Sequence, residues 1–137
     1  MPRVLGVDYG ERRIGLALSD PSGMIAQPLT ALLRRRGKRP PIAAIERVIQ
    51  EHDVAELVVG LPLESDGGES DWTRETRAFA DKLAQRTGLP LQLQDERMTS
   101  ARAKRAVRGI GLRKKEREQK GRIDAAAAAL ILQAYLD

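Results

Sequence analysis

Three acidic residues stand at the predicted ends of elements that lie far apart in the chain. Asp8 follows a short apolar strand, Glu96 follows a second one, and Asp124 opens the last helix, predicted to begin near Gly121. A buried carboxylate is costly unless a cation or hydrogen-bond donors meet it. Three carboxylates in one place also repel one another unless a divalent cation holds them. Convergence of these three acids is therefore the first functional hypothesis.

Such a cluster has a definite chemistry. Carboxylates are hard oxygen ligands, which favour Mg²⁺ or Mn²⁺ over zinc. Two such ions ~3.5 to 4 Å apart can activate a water and stabilise the leaving oxygen in phosphodiester hydrolysis. Asp95 is either a further ligand or a supporting residue, because adjacent strand side chains point to opposite faces. The competing interpretation of Asp8 is an Asp that only caps its own turn.

The elements that must position these acids can be predicted from periodicity. Residues 4–18 predict two strands joined by a tight polar turn, and residues 25–33 predict a third, which together make an antiparallel meander. Ile42, Ile45 and Ile49 recur at helical spacing after Pro41. The apolar run 57–59 follows that helix and is therefore expected to form a buried strand parallel to the first.

The second half predicts two more helices and one more strand. Asp71 is expected to cap a helix that ends at Gly88, and residues 89–95 alternate as a strand does. Residues 99–108 predict a short basic helix and residues 109–121 a loop. The small side chains 125–129 allow the last helix to lie close on the sheet, with this predicted face toward it: Ile123, Ala127, Leu130 and Ala134.

Positive charge is concentrated in one part of the chain. The net charge is +5, but residues 97–122 hold eleven Lys or Arg against Glu116 and Glu118, a local balance of +9 that leaves −4 elsewhere. Such segregation favours a polyanionic partner, because each phosphate contact releases counterions. A solvated basic surface is the alternative. The connector 34–39 is also basic and could contact phosphate or be solvated.

Composition excludes several classes of protein. The 137 residues fit one domain, 1–137, and no apolar run is long enough to span a bilayer. The absence of cysteine excludes disulfides and a thiol nucleophile, and it is compatible with a cytoplasmic protein. His52 is the single histidine, which makes a Ser/His/Asp triad unsuitable. Aromatic residues are 3% of the chain, which argues against a base-stacking platform.

Several segments resemble the YqgF family, the Holliday junction resolvase-like proteins also described as pre-16S rRNA nucleases. The segments are Asp8-Tyr9-Gly10 with Arg12-Arg13-Ile14-Gly15, Val59-Gly60-Leu61-Pro62-Leu63 with Asp66-Gly67, Asp95-Glu96-Arg97-Met98-Thr99, and Asp124-Ala125-Ala126 with Ile131-Leu132-Gln133. The resemblance implies a ribonuclease H-like α/β fold, with a five-stranded mixed sheet and helices on both faces. It also implies that Asp8, Glu96 and Asp124 are metal-binding catalytic acids.

The same resemblance implies nucleic-acid contacts in the turn at Arg12 and Arg13 and in residues 112–119. The full set of expected contacts combines these with the basic stretch after the fifth strand: Arg12, Arg13, Arg97, Arg102, Arg105, Arg113, Lys114 and Lys115. Structured RNA such as pre-rRNA, or branched DNA, is the expected partner, with no membrane and with the protein acting as a monomer or a homodimer.

The sequence leaves four functions open. A nuclease that processes the 5′ end of pre-16S rRNA is the leading hypothesis, and a Holliday junction resolvase of recombination and repair is the second. Phosphate contacts carry no base information, so the basic residues do not choose between them. The third is a non-catalytic nucleic-acid-binding module. The fourth is an ATP-binding domain that uses the Asp-x-Gly turn, although the chain lacks room for a second lobe.

Overall fold

Five strands form one mixed sheet in the computed structural model, which describes residues 2–34, 39–101, 103–104 and 116–137 and no side chains for 116–118. The strands are β1 (Arg3–Tyr9), β2 (Arg13–Ser19), β3 (Ala26–Leu33), β4 (Val54–Leu61) and β5 (Leu91–Asp95). Their order is β3-β2-β1-β4-β5. The pairs β1–β2 and β2–β3 are antiparallel, and the pairs β1–β4 and β4–β5 are parallel. The predicted meander and parallel crossover are confirmed.

Among the described residues, three long helices cover the two faces of the sheet: α1 (Ile42–Glu51), α2 (Asp71–Thr87) and α3 (Glu116–Leu136). Strand side chains alternate between these faces. On β1, Leu5, Val7 and Tyr9 join the core beneath α1 and α2, whereas Val4 joins the core beneath α3. Asp8 therefore points to the α3 face and its neighbour Tyr9 to the opposite one.

Large side chains fill the α1 and α2 face. Ile45 and Leu83 are fully buried, and the Tyr9 ring stacks on Phe79 with centroids 4.2 Å apart. Each such aliphatic side chain contributes about 1.5–3 kcal/mol through removal from water. Most of the stabilising apolar area therefore lies on this face.

The N-cap of helix α2 lies one residue earlier than predicted. Ser70, not Asp71, is the N-cap: its hydroxyl accepts a hydrogen bond from the Thr73 amide, and the Thr73 side chain accepts one from the Ser70 amide. Asp71 instead occupies the first turn, where its charge favours the helix N-terminus. The predicted end is confirmed, because Gly88 adopts a left-handed conformation with φ 71°.

Helix α3 begins at Glu116, so the predicted start near Gly121 is wrong. Residues 116–120 are strong helix formers, and their propensity outweighs the cost of about 1 kcal/mol for a glycine inside a helix. Asp124 therefore lies in the third turn rather than the first.

The predicted sheet-facing side of α3 is also only partly correct. Of its four residues only Ala127 is buried, and the side against the sheet carries Asp124, Ala128 and Ile131. Apolar residues surround this helix from Ile123 onward, so periodicity alone does not select a face. The α3 side that packs on the sheet is the one on which Asp124, Ala125 and Ala128 approach Gly15 and Gly6 closely.

The two edge strands are irregular or short. Strand β3 contains Pro28, and its register with β2 shifts between Leu16 and Ala17. Strand β5 has only five residues. Within the described ranges, no helix combines the length and apolar character that crossing a membrane requires.

Candidate active site

Asp8 is the second-last residue of β1 and is only 2% exposed. Its partner across the β1–β2 ladder is Gly15. The tight turn between them is closed by the Gly10 amide, which donates to the Arg13 carbonyl at 3.0 Å. Because Gly15 carries no side chain, the space beside Asp8 on the α3 face stays open for another element.

Asp124 occupies that space. A Cβ atom at Gly15 would collide with the Asp124 carbonyl oxygen and would lie 3.2 Å from the Ala125 amide nitrogen. The α3 backbone therefore rests directly on the β2 backbone at this point. Asp124 is 1% exposed, so the contact places a buried carboxylate next to Asp8.

Glu96 reaches the same face from the other side. It begins a short 3-10 helix, Glu96–Met98, directly after β5. A Cβ atom at Gly60 on β4 would lie 3.1 Å from the Glu96 Cγ atom and 2.5 Å from the Ile131 Cδ1 atom of α3. Glu96 is 1% exposed, so it too is enclosed between the sheet and α3.

The three acids lie at the same end of the sheet, on the α3 face. Gly15 is beside Asp8 on β2, and Gly60 is beside it on β4 by extension of the parallel register. Neighbouring strands are about 4.8 Å apart. Asp124 thus covers one neighbour of Asp8 and Glu96 covers the other, and the three carboxylates are brought into one region.

Among the described residues, the buried side chains at this end of the sheet that could bind a cation are the three carboxylates. His52 caps the end of α1 immediately before β4, at the opposite end of the sheet. In the described part of the chain, no three His, Cys, Asp or Glu side chains form a ready-made metal-binding group. The donor chemistry suits a hard divalent cation, whereas the side chains are not preassembled around one.

Asp95 and Arg97 form a clamp next to Glu96. The Asp95 carboxylate accepts hydrogen bonds from the Arg97 amide at 2.9 Å and from its guanidinium at 2.7 Å, and the ion pair raises the pKa of Arg97. The same guanidinium donates to the Ser65 carbonyl at 3.4 Å. Asp95 therefore caps the 3-10 helix and ties it to the loop after β4. Arg97 remains a predicted nucleic-acid contact, with part of its charge already compensated.

Arg34 is a site residue that sequence reasoning missed. Its side chain is 12% exposed, its guanidinium lies 4.8 Å from the centre of the Tyr9 ring, and it donates to the Gly10 carbonyl at 3.3 Å. Its amide also donates to the Arg12 carbonyl at 2.7 Å. Arg34 thus braces the turn that follows Asp8, although the sequence places it in a basic connector with no sign of burial.

Tyr9 supports the same turn from the α2 side. Burial raises the pKa of Tyr9 to about 12, against an opposing effect of the Arg34 charge. Its hydroxyl donates to the Glu75 carboxylate at 3.1 Å. The residue next to Asp8 is therefore held by both packing and a hydrogen bond.

The predicted nucleic-acid contacts are only partly described. Arg12 is exposed in the β1–β2 turn, and Arg13 begins β2 and lines a groove on the α3 face. Five of the expected contacts lie outside the described residues: Arg102, Arg105, Arg113, Lys114 and Lys115. They stay predictions.

Comparisons with known proteins give a matching family and similar curated proteins. The family model described as "RuvX: Holliday junction resolvase" matches residues 2–137. The chain is 44% identical over 135 residues to "Putative pre-16S rRNA nuclease" of Koribacter versatilis (strain Ellin345), covering 98% of this chain and 86% of that one. It is 45% identical to the protein of the same name from Anaeromyxobacter sp. (strain Fw109-5), covering 98% and 96%.

A solved structure shares the fold. T. thermophilus RuvC in complex with a Holliday junction substrate matches with a TM-score of 0.56 and 18% identity, covering 99% of this chain and 94% of that chain. At this identity the likeness concerns the fold alone, and it confirms the predicted ribonuclease H-like architecture.

Proposed function

We propose, because this chain belongs to the RuvX family, that it is a nuclease that hydrolyses phosphodiester bonds in structured nucleic acid. Its proposed substrate is the 5′ end of pre-16S rRNA, by analogy with the relatives that carry this name. The observation that carries the proposal is the gathering of Asp8, Glu96 and Asp124, each at most 2% exposed, at one end of the sheet.

The burial of these acids argues for a functional role. An ionised carboxylate removed from water costs several kcal/mol unless it is paired or coordinated. Replacement of a buried ion pair by apolar side chains of similar volume is often neutral or stabilising, so stability alone does not require buried charge. Three acids buried at one end of an otherwise small or apolar face therefore favour a site over a structural cluster.

We assign the three carboxylates as ligands of two divalent ions, either Mg²⁺ or Mn²⁺. Metal ions bound there would supply an activated water and stabilise the leaving oxygen of the phosphodiester. An ion would have to draw these side chains together, since they are not preassembled among the described residues. The protein itself contributes exclusion of water by α3 and a fixed position for Glu96 through the Asp95–Arg97 pair.

Holliday junction cleavage is the second candidate function, because the matching family model carries that description. A two-fold symmetric junction is most naturally cut on both strands by a dimer. Ribosomal RNA processing needs only one copy of the chain, in the cytoplasm where ribosomes assemble. The two candidates therefore differ in the oligomeric state that activity requires.

A cleavage assay tests the proposal. Purified protein is incubated with end-labelled precursor rRNA fragments, four-way DNA junctions and single strands, in Mg²⁺, Mn²⁺ or chelator. We expect cleavage with either ion, fastest on the precursor rRNA, and none with chelator. Faster cleavage of the junction, in paired symmetric cuts, would favour the second candidate.

The variant Asp8→Asn provides the control. It should lower cleavage by at least about a thousandfold while binding stays within a fewfold of wild type, because it removes a ligand and leaves the fold intact. Glu96→Gln and Asp124→Asn should behave alike, and their effects should not add, since the site acts as a unit. Binding without cleavage by the wild type in every condition would identify a binding module instead.

A further inference from the structure

A groove of about 640 Å³ lies between the edge strand β3 and helix α3. Its walls come from both elements, and its floor from the start of β2. The lining residues that matter here are Arg13, Ala31, Leu33, Gly121, Arg122 and Ala125. The groove is open to solvent, and Leu33 on its rim is 73% exposed.

The groove leads directly to the three acids. Ala31 pairs with Gly15 across β3 and β2, and Gly15 pairs with Asp8 across β2 and β1. One turn of α3 follows the same path, because Gly121 lies over Ala31 and Asp124 lies over Gly15. Two strand spacings, about 10 Å, separate Ala31 in the groove from Asp8.

The charge of the groove is positive. Arg13 of β2 and Arg122 of α3 both line it, and no acidic residue is among its described lining residues. Arg122 is exposed and makes no hydrogen bond or ion pair within the part of the chain that the structure describes. An exposed arginine with no partner two residues before Asp124 can contact phosphate without giving up an existing interaction.

The absence of a side chain at Gly121 keeps the groove open. A Cβ atom there would approach the Ala31 Cβ atom at 3.7 Å, an ordinary packing distance. Larger residues on either element would fill the space between them. The groove therefore combines two lining arginines, Arg13 and Arg122, with a continuous path to the acids.

We infer that this groove binds the nucleic-acid strand that flanks the scissile phosphate, with Arg122 contacting a backbone phosphate. The inference rests on the proposed function and adds a substrate track to it. The ligand is a single phosphodiester strand, recognised through its charge and its sugar–phosphate surface rather than through base edges.

The first test compares two arginines. Arg122→Ala and Arg47→Ala are each made in full-length Asp8→Asn protein, so that the probe stays intact. Arg47 is a matched control because it is an exposed arginine on α1, on the opposite face of the sheet. The probe is a fluorescent RNA hairpin with a single-stranded 5′ extension, and binding is followed by anisotropy over a range of salt concentrations.

We expect Arg122→Ala to weaken binding by about threefold to tenfold at low salt and to reduce the slope of log K against log salt by about 1, as loss of one phosphate contact does. Arg47→Ala should change affinity by less than about twofold. Equal effects of the two substitutions would overturn the inference, because they would reflect net charge alone.

The second test reverses the sign of charge at an exposed position in the groove. Leu33→Lys should tighten binding and Leu33→Glu should weaken it, with the fold preserved because this side chain is largely in solvent. No change with either variant would overturn the inference. If the wild type fails to cleave any substrate, the proposed function fails, while these binding measurements still decide whether the strand occupies the groove.

Discussion

The two faces of the sheet are built from different side chains. Beneath α1 and α2 lie large aliphatic and aromatic residues, among them Leu5, Ile14 and Phe79. The α3 face has a smaller core, in which valines, Ile131 and Leu132 pack with several alanines and with the glycines of β1, β2 and β4, and the three buried acids lie at one end of it. The first face supplies buried apolar area, and the second supplies a short distance between backbones. Stability and positioning are thus assigned to opposite sides of one sheet.

This division explains how buried carboxylates are tolerated. Apolar burial on the α1 and α2 face stabilises the fold independently of the acids. The α3 face can then accept the cost of enclosing Asp8, Glu96 and Asp124. The comparison predicts that substitutions on the two faces separate activity from stability.

The largest effect is expected at Gly15. Gly15→Ala places a methyl group against the Asp124 carbonyl, so α3 must move away from β2. A displacement of about 1 Å at a reacting group can cost about a hundredfold in rate. We expect cleavage to fall by that order, with an overpacking penalty of about 1–3 kcal/mol in the free energy of unfolding.

Gly121→Ala is the matched control for Gly15→Ala. Among the described residues its methyl group would meet the Ala31 side chain at an ordinary packing distance, and helix propensity favours alanine by about 1 kcal/mol. The variant should therefore unfold at higher denaturant concentration than the wild type, whereas Gly15→Ala should unfold at lower concentration. If Gly15→Ala retained full activity, close approach of α3 would not be what positions Asp124.

Leu83→Ala tests the opposite face. Leu83 is fully buried beneath α2, so its truncation should lower the free energy of unfolding by about 2–5 kcal/mol. Cleavage measured well below the unfolding temperature should stay within about threefold of wild type. Leu33→Ala, the same change at a largely exposed position, should cost no more than about 0.5 kcal/mol. A large loss of activity in folded Leu83→Ala protein would contradict the division.

The free energy of unfolding should depend on pH through the Tyr9 hydroxyl. Its pKa is about 12 in the folded protein and 10.0 in the unfolded chain, so the unfolded state loses the proton first. The free energy of unfolding should therefore fall as pH rises from about 10 to 12, and this contribution is fully present below pH 10. Denaturant unfolding of the wild type and Tyr9→Phe across that range measures it.

The substitution removes one of the two tyrosines and leaves Tyr135, whose pKa is also raised, chiefly by its hydrogen bond to Glu56. The difference between the two proteins isolates Tyr9. Parallel pH profiles would show that Tyr9 titrates alike in both states.

Among substitutions next to the three acids, the smallest effect is expected at Asp95. Asp95→Asn keeps an oxygen that can accept from the Arg97 amide and removes only the ion pair, so cleavage should fall by less than about tenfold. Glu96→Gln, one residue on, should abolish it. Equal losses in a side-by-side rate measurement would make Asp95 a ligand rather than a support.

Much of the fold can be predicted from short-range patterns. Alternation in β1 and β2 and the isoleucine spacing of α1 are local signals, and the structure agrees with them. The start of α3 was mispredicted because Gly121 resembles a helix boundary, whereas the residues before it favour helix. The orientation of α3 depends on Gly6, Gly15 and Gly60 on three strands, and no local pattern links those positions to the helix.

The site was predictable to a different extent. The three acids stand out because each follows or lies within an element whose other buried residues are apolar or small. Arg34 does not stand out, since an arginine at the start of a run of basic residues gives no sign that its guanidinium covers the Tyr9 ring. Long-range contacts of this kind are decided by tertiary packing rather than by spacing in the chain.

The edges of the sheet also influence whether copies of the chain aggregate in concentrated solution. An exposed strand offers unpaired backbone groups to a neighbouring molecule and can seed ordered aggregates. Here Pro28 lacks an amide hydrogen and the register of β3 shifts beside it, while β5 is too short to offer a long template. Together with a net charge of +5, these features disfavour polymerisation through sheet extension and so help to keep the chains dispersed.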